Sequence, residues 1–184
     1  MIIRQVKVIF AGDGAVGKTA LVKRFTTGQY GDAESYKMTI GVNIATYNGK
    51  RNGTQLCLAV WDLGGQQRFD FIRRQFYIGA EIVVFVYDVT TRASFQNLVN
   101  WIDEVEKSCK TAYKGLLIGN KIDLDEFRVI DFEEAKIFAE AYGMTYLETS
   151  ARNNTGIENL IKVLTDYVVM DSPHKLVKQI EVAS

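Results

Sequence analysis

The 184 residues contain one proline, which leaves no room for a proline-rich linker. At this length one domain with a full core is expected, and two would be cramped. Net charge is absent as well. Twenty-two basic residues balance 22 acidic ones, which argues against a nucleic-acid binder that relies on bulk electrostatics. The two cysteines, Cys57 and Cys109, are too few for a disulfide framework and read as free thiols of a reducing compartment. No apolar run reaches the length of a membrane span, because Gly, Asp or Lys interrupts each within about ten residues. The amino terminus lacks a signal-peptide layout, and Ile2 stands where N-myristoylation requires glycine, so a cytoplasmic location is expected. The triplets at Asn52 and Asn153 that fit a glycosylation pattern are then chance matches.

What is present is a phosphate-binding loop. Gly12 Asp13 Gly14 Ala15 Val16 Gly17 Lys18 Thr19 fits G-x-x-x-x-G-K-[ST] between an apolar run and a helical segment. A chance match in a chain this long has a probability of about 1%. Glycines let successive N–H groups turn toward an anion, and the following helix adds the positive end of its dipole. The phosphate-facing stretch runs from Gly14 through Ala15, Val16, Gly17, Lys18 and Thr19 to Ala20. Lys18 is expected at the β- and γ-phosphates and the Thr19 hydroxyl on magnesium.

Hydrophobic periodicity predicts an α/β fold. Strands are expected at Val6–Ala11, Ile82–Tyr87, Gly115–Gly119 and Thr145–Leu147. A hairpin of Val42–Tyr47 and Gln55–Asp62 is expected to close through the polar turn Asn48–Gly53. Helices are expected from about Gly17 to Gly28, Ala93 to Ser108, Glu133 to Tyr142 and Thr155 onward. Gln29–Met38 reads as a loop of about ten residues, a length that in a compact domain is usually functional or disordered. Strands alternating with helices imply a three-layer domain: a six-stranded, mostly parallel sheet with helices on both faces and one antiparallel edge strand. Ligands of such folds sit beyond the carboxyl ends of the strands, where the phosphate loop, Asp62, Asn120–Asp123 and Ser150–Arg152 all fall.

Asp62, an acidic residue at a strand end followed by glycines, suits a magnesium-associated carboxylate, although taken alone the stretch reads more readily as an ordinary acidic turn. For the base, guanine presents N1–H and an N2 amino group as donors, and the Asp123 carboxylate can accept from both. Adenine would leave that carboxylate unpaired. Asn120 would tie the loops together, the Lys121 stem would cover one ring face, and the Ala151 N–H would donate to the C6 carbonyl.

The set Gly12–Thr19, Thr39 Ile40 Gly41, Asp62 Leu63 Gly64 Gly65 Gln66, Asn120 Lys121 Ile122 Asp123 and Ser150 Ala151 resembles the five nucleotide-binding motifs of Ras-superfamily small GTPases. Ile40 Gly41 Val42, Trp61, Arg68 Phe69, Tyr77 Ile78 Gly79 Ala80 and Tyr87 Asp88 Val89 Thr90 resemble the Rab branch. The resemblance covers Gln5–Val169. It implies a P-loop G domain over residues 1–171, with 172–184 as a short tail. It further implies a GTP-hydrolysing switch that binds GTP or GDP with magnesium. Thr39 would ligate magnesium and sense the γ-phosphate, Tyr36 would lie near the phosphates, and Tyr30 would stack on the base edge. Gly65 would donate its N–H to the γ-phosphate, Gln66 would orient the attacking water, and Gly14 would leave room beside the γ-phosphate for Gln66 and an incoming arginine. Effectors, an exchange factor and a GTPase-activating protein are expected at the switch regions, the last supplying the arginine; a monomer is expected.

The chain also departs from the Rab pattern. Leu63 Gly64 replaces the usual Thr-Ala and is closer to the Arf branch, and a glycine at 64 is expected to loosen the start of switch II. The Rab effector-facing aromatic triad would fall on Ile44, Trp61 and Tyr77. No prenylation cysteine occurs in Lys175–Ser184, so no lipid anchor is encoded there. These departures leave open a second reading, a GTP-binding scaffold that does not hydrolyse. A nucleotide kinase would need an arginine-rich lid, and none is present.

Overall fold

A computed structural model describes residues 3–30, 39–65 and 70–170. Six strands form one sheet in the order β2-β3-β1-β4-β5-β6: β1 Ile3–Ala11, β2 Val42–Arg51, β3 Thr54–Leu63, β4 Ile82–Asp88, β5 Lys114–Asn120 and β6 Thr145–Thr149. Every neighbouring pair is parallel except β2 with β3. All seven residues of β4 are buried, as a central strand covered on both faces requires.

Side chains alternate between two cores. One face packs Phe10, Leu58, Val84 and Ile118 against α1 (Lys18–Thr27) and α6 (Ile157–Val169). The other packs Ile9, Phe85 and Leu117 against α3 (Arg92–Gln96), α4 (Leu98–Ser108) and α5 (Phe132–Ala141). A further helix, α2 (Asp70–Phe76), precedes β4, and a 3₁₀ turn spans Ile122–Phe127. Among the described residues no helix is long and apolar enough to cross a membrane, and both cysteines are free thiols.

Several boundaries differ from the sequence expectation. The hairpin turn is Asn52-Gly53 alone, both with positive φ (47° and 80°), the geometry of a tight two-residue turn. The polar residues Asn48 and Lys50 are instead the exposed positions of edge strand β2. The helix expected over Ala93–Ser108 is two helices, α3 ending at Gln96 and α4 starting at Leu98, with Asn97 between them at φ −70° and ψ −11°. β6 runs on to Thr149, so Glu148 and Thr149 pair within the sheet. Gly28 closes α1 in the left-handed conformation, with its N–H on the Arg24 carbonyl.

Candidate functional site

The carboxyl ends of β1, β3, β5 and β6 surround a cavity of about 390 Å3. The phosphate loop forms its floor. Gly12 has φ 141°, and a Cβ there would stand 2.1 Å from the Val86 carbonyl, so only glycine lets the loop leave β1 this close to β4. Lys18 is buried, and its Nζ donates to the carbonyls of Gly12 (2.6 Å) and Asp13 (2.7 Å). Burial pushes the Lys18 ammonium down to about 8, with the charges of Asp62 and Asp13 resisting. A buried cation so placed favours an anionic ligand.

Three oxygens meet beside it. The Thr19 hydroxyl donates to Asp62 Oδ2 at 2.5 Å and lies 2.8 Å from the Thr39 hydroxyl. Asp62 is fully buried, and its Oδ1 has no hydrogen-bond partner. Burial raises the Asp62 carboxyl, while the Thr19 hydrogen bond and Lys18 hold it down. Two hydroxyls and one carboxylate with a free oxygen fit magnesium, which keeps several waters and takes few protein ligands. Among the described residues no cluster of three His, Cys, Asp or Glu side chains could hold a metal by itself.

At the other end, Asn120 Nδ2 donates to the Val16 carbonyl (2.9 Å) and its Oδ1 accepts from the Thr149 hydroxyl (3.0 Å), joining the phosphate loop to β5 and β6. The Ser150 hydroxyl donates to Asp123 Oδ1 at 2.6 Å and accepts from the Asn153 N–H. Lys121 has φ 69° and pairs with Asp88 at 2.6 Å.

Of the residues expected from sequence, Gly14, Ala15, Gly17, Lys18, Thr19 and Ala20 line the cavity, with Tyr30, Thr39, Gly65, Asn120, Lys121, Asp123, Ala151 and Arg152. Val16, Ser150 and Asp62 do not line it, Asp62 being buried behind Thr19. The Val16 side chain is core and only its carbonyl faces Asn120, while Ser150 is buried behind Asp123. Tyr36 and Gln66 lie outside the described residues, as do Arg68, Phe69 and the tail.

Two expectations meet new facts. Gly64, expected to loosen the start of switch II, is itself in close contact: it is buried, its N–H donates to the Gly41 carbonyl at 2.9 Å, and a Cβ there would stand 2.5 Å from the Thr39 carbonyl. Its lack of a side chain lets the two segments touch through their backbones. Tyr77 cannot belong to an exposed triad, because it is fully buried with its hydroxyl donating to Glu104. The ring that meets Trp61 is Phe76, 5.8 Å away.

The structure also adds residues that no motif marks. Asp13 accepts from Trp101 Nε1 (2.7 Å) and Asn97 Nδ2 (2.8 Å). The Trp101 ring also carries the Arg73 guanidinium, 4.5 Å from its centre, and Arg73 pairs with Glu104 at 2.9 Å. Asn97, Trp101 and Glu104 thus join the phosphate loop to α2 along one side of α4. Helical spacing of 97, 101 and 104 is visible in the sequence, but their partners are not.

A phosphate loop between the first strand and first helix of a six-stranded, mostly parallel sheet, facing a carboxylate-lined cavity, defines a P-loop nucleotide-binding domain. More narrowly, the chain belongs to the Ras family, whose family model matches residues 7–170. It is 38% identical over 159 residues to the Ras-related protein RABD2a of Arabidopsis thaliana, covering 86% of this chain and 77% of that protein. It is 40% identical over 152 residues to the Ras-related protein RIC1 of Oryza sativa subsp. japonica, covering 83% and 74%. It is a Rab-like small GTPase of the Ras superfamily.

Proposed function

We propose that the protein is a magnesium-dependent switch that binds GTP, hydrolyses it to GDP and phosphate, and presents different surfaces to effectors in the two states. The observation that carries this reading is the joining, around one cavity, of the phosphate loop, Thr39 and Asp123, with the buried Asp62 bonded directly behind the cavity-lining Thr19. Family membership supports GTP and GDP binding at the level of the class.

Lys18 and the loop N–H groups hold the β- and γ-phosphates, so the polyphosphate replaces the backbone carbonyls that Lys18 now contacts. Asp123, aimed by Ser150, accepts from N1–H and the N2 amino group, and the Ala151 N–H donates to the C6 carbonyl. Thr19, Thr39 and Asp62 would hold magnesium, which when bound would neutralise developing phosphate charge. Gln66 orients a water in line with the γ-phosphorus, and Gly65 and Lys18 stabilise charge on the transferring group. The water oxygen forms the new bond to phosphorus as the bond to the β–γ bridging oxygen breaks, leaving GDP and inorganic phosphate. A GTPase-activating protein would supply an arginine beside Gly14. The G domain is assigned to residues 1–171 and the tail to 172–184.

Single-turnover phosphate release from preloaded GTP, in the wild type and in Gln66→Leu, tests the catalytic half of this reading. A slow wild-type rate that falls further in the variant is expected. Equal rates would remove the catalytic role of Gln66 and favour the non-hydrolysing scaffold, a reading to which the Leu63 Gly64 departure points. Displacement of bound GDP by ATP at comparable concentration would overturn the base assignment.

A further inference from the structure

Arg24 lies on α1, one turn before that helix ends, and does not line the cavity. Its guanidinium nevertheless reaches both flanks of the base-binding end. Nε donates to the Ala151 carbonyl at 2.9 Å and one terminal nitrogen to the Arg152 carbonyl at 3.0 Å. The other terminal nitrogen donates to the Gly28 carbonyl at 2.9 Å, and the guanidinium carbon sits 5.5 Å from the centre of the Tyr30 ring, within cation–π range. Ala151, Arg152 and Tyr30 all line the cavity. One planar fork therefore holds the loop assigned to the guanine C6 carbonyl and flanks the aromatic assigned to the base edge.

Resting on the guanine assignment above, we propose that Arg24 is the positioning residue for base recognition: it fixes the Ala151–Arg152 backbone from behind, so that the Ala151 N–H is held ready for the C6 carbonyl. Because α1 begins at the phosphate loop, the same helix sets the spacing between the phosphate and base ends of the ligand. Each of the three guanidinium nitrogens, fixed in one plane, serves a different one of the three carbonyls. A lysine ammonium, a point charge on a flexible stem, satisfies them only in part.

The test compares three nucleotides on the full chain with magnesium: GDP, 6-thio-GDP, whose sulfur is a poor acceptor at C6, and IDP, which lacks the N2 amino group. Release of each is followed by chasing with excess fluorescent GDP analogue in the wild type, Arg24→Ala and Arg24→Lys. Arg24→Ala should release GDP about tenfold faster. Its preference for GDP over 6-thio-GDP should shrink toward one, while the IDP penalty, which reports Asp123, stays at the wild-type value. Arg24→Lys should fall between. A merely structural arginine would speed release of all three nucleotides by the same factor, and that result overturns the proposal, as does GDP release within twofold of wild type in both variants. Arg24→Gln, which keeps part of the stem, replaces the alanine variant if that one does not fold. Failure of the wild type to retain GDP at all would overturn the guanine assignment itself, and is distinguishable because it precedes any comparison of variants.

Discussion

Replacing Gly64 with alanine tests whether the contact between the two segments at the phosphate end is selective for one nucleotide. The added Cβ would stand 2.5 Å from the Thr39 carbonyl oxygen, 3.2 Å from the Gly41 carbonyl oxygen and 3.4 Å from the Gly41 nitrogen. All three are backbone atoms, so no rotamer change relieves the clash, and one segment must retreat by about 0.9 Å to reach ordinary contact. Overpacking of this kind costs about 1–3 kcal/mol, and the Gly64 N–H to Gly41 bond adds about 1 kcal/mol if it breaks. Retreat carries Thr39 away from Thr19, and with it the hydroxyl pair assigned to magnesium and the γ-phosphate. Affinity for a non-hydrolysable GTP analogue should therefore fall about 10- to 100-fold relative to GDP, since GDP makes no demand on Thr39. Competition of each nucleotide against a fluorescent GDP analogue gives the two dissociation constants. A ratio within twofold of wild type would refute the reasoning.

Glu104→Ala leaves the buried Arg73 guanidinium without its carboxylate, and about 3–5 kcal/mol should disappear from the urea-unfolding free energy; replacing both residues with leucine should cost less. Asp123→Asn should weaken GDP by about a hundredfold or more and shift preference to xanthosine diphosphate, read by competition binding. Burial raises the hydroxyls of Tyr77, Tyr87, Tyr113 and Tyr146 above their ordinary value. The unfolded chain releases those protons first, so the stability they contribute is complete below about pH 10 and is lost above it. The loss should run at about 1.4 kcal/mol per pH unit for each tyrosine, measured by urea unfolding between pH 9 and 11.

The legible parts of this chain are those whose partners lie nearby in sequence. Strands such as Ile82–Asp88 announce themselves as apolar runs, and each nucleotide-binding motif is a contiguous stretch of two to eight residues. Helix α2 was not legible, because Asp70–Phe76 shows no apolar period and borrows its order from α4 through Arg73 and Tyr77. The hairpin turn was overestimated because an edge strand exposes polar residues that mimic a loop. Arg24, Asp88, Asn97 and Trp101 were missed for a different reason. Arg24 meets Ala151 across 127 positions and Trp101 meets Asp13 across 88, and no local pattern encodes such a pairing. The second use of Gly64 was not legible, since a glycine permits looseness and close approach alike, and only the neighbouring backbone reveals the latter.

Trp101 is one of only two tryptophans, and its indole N–H rests on a carboxylate of the phosphate loop while its ring face carries a guanidinium from α2. Emission from an indole shifts with the charge around it. The chain thus carries an optical gauge wired to both elements, with a negative group at the pyrrole nitrogen and a positive one over the plane. With Trp61→Phe removing the second emitter, any displacement of Asp13 or Arg73 becomes a colour change in a protein that bears no added label.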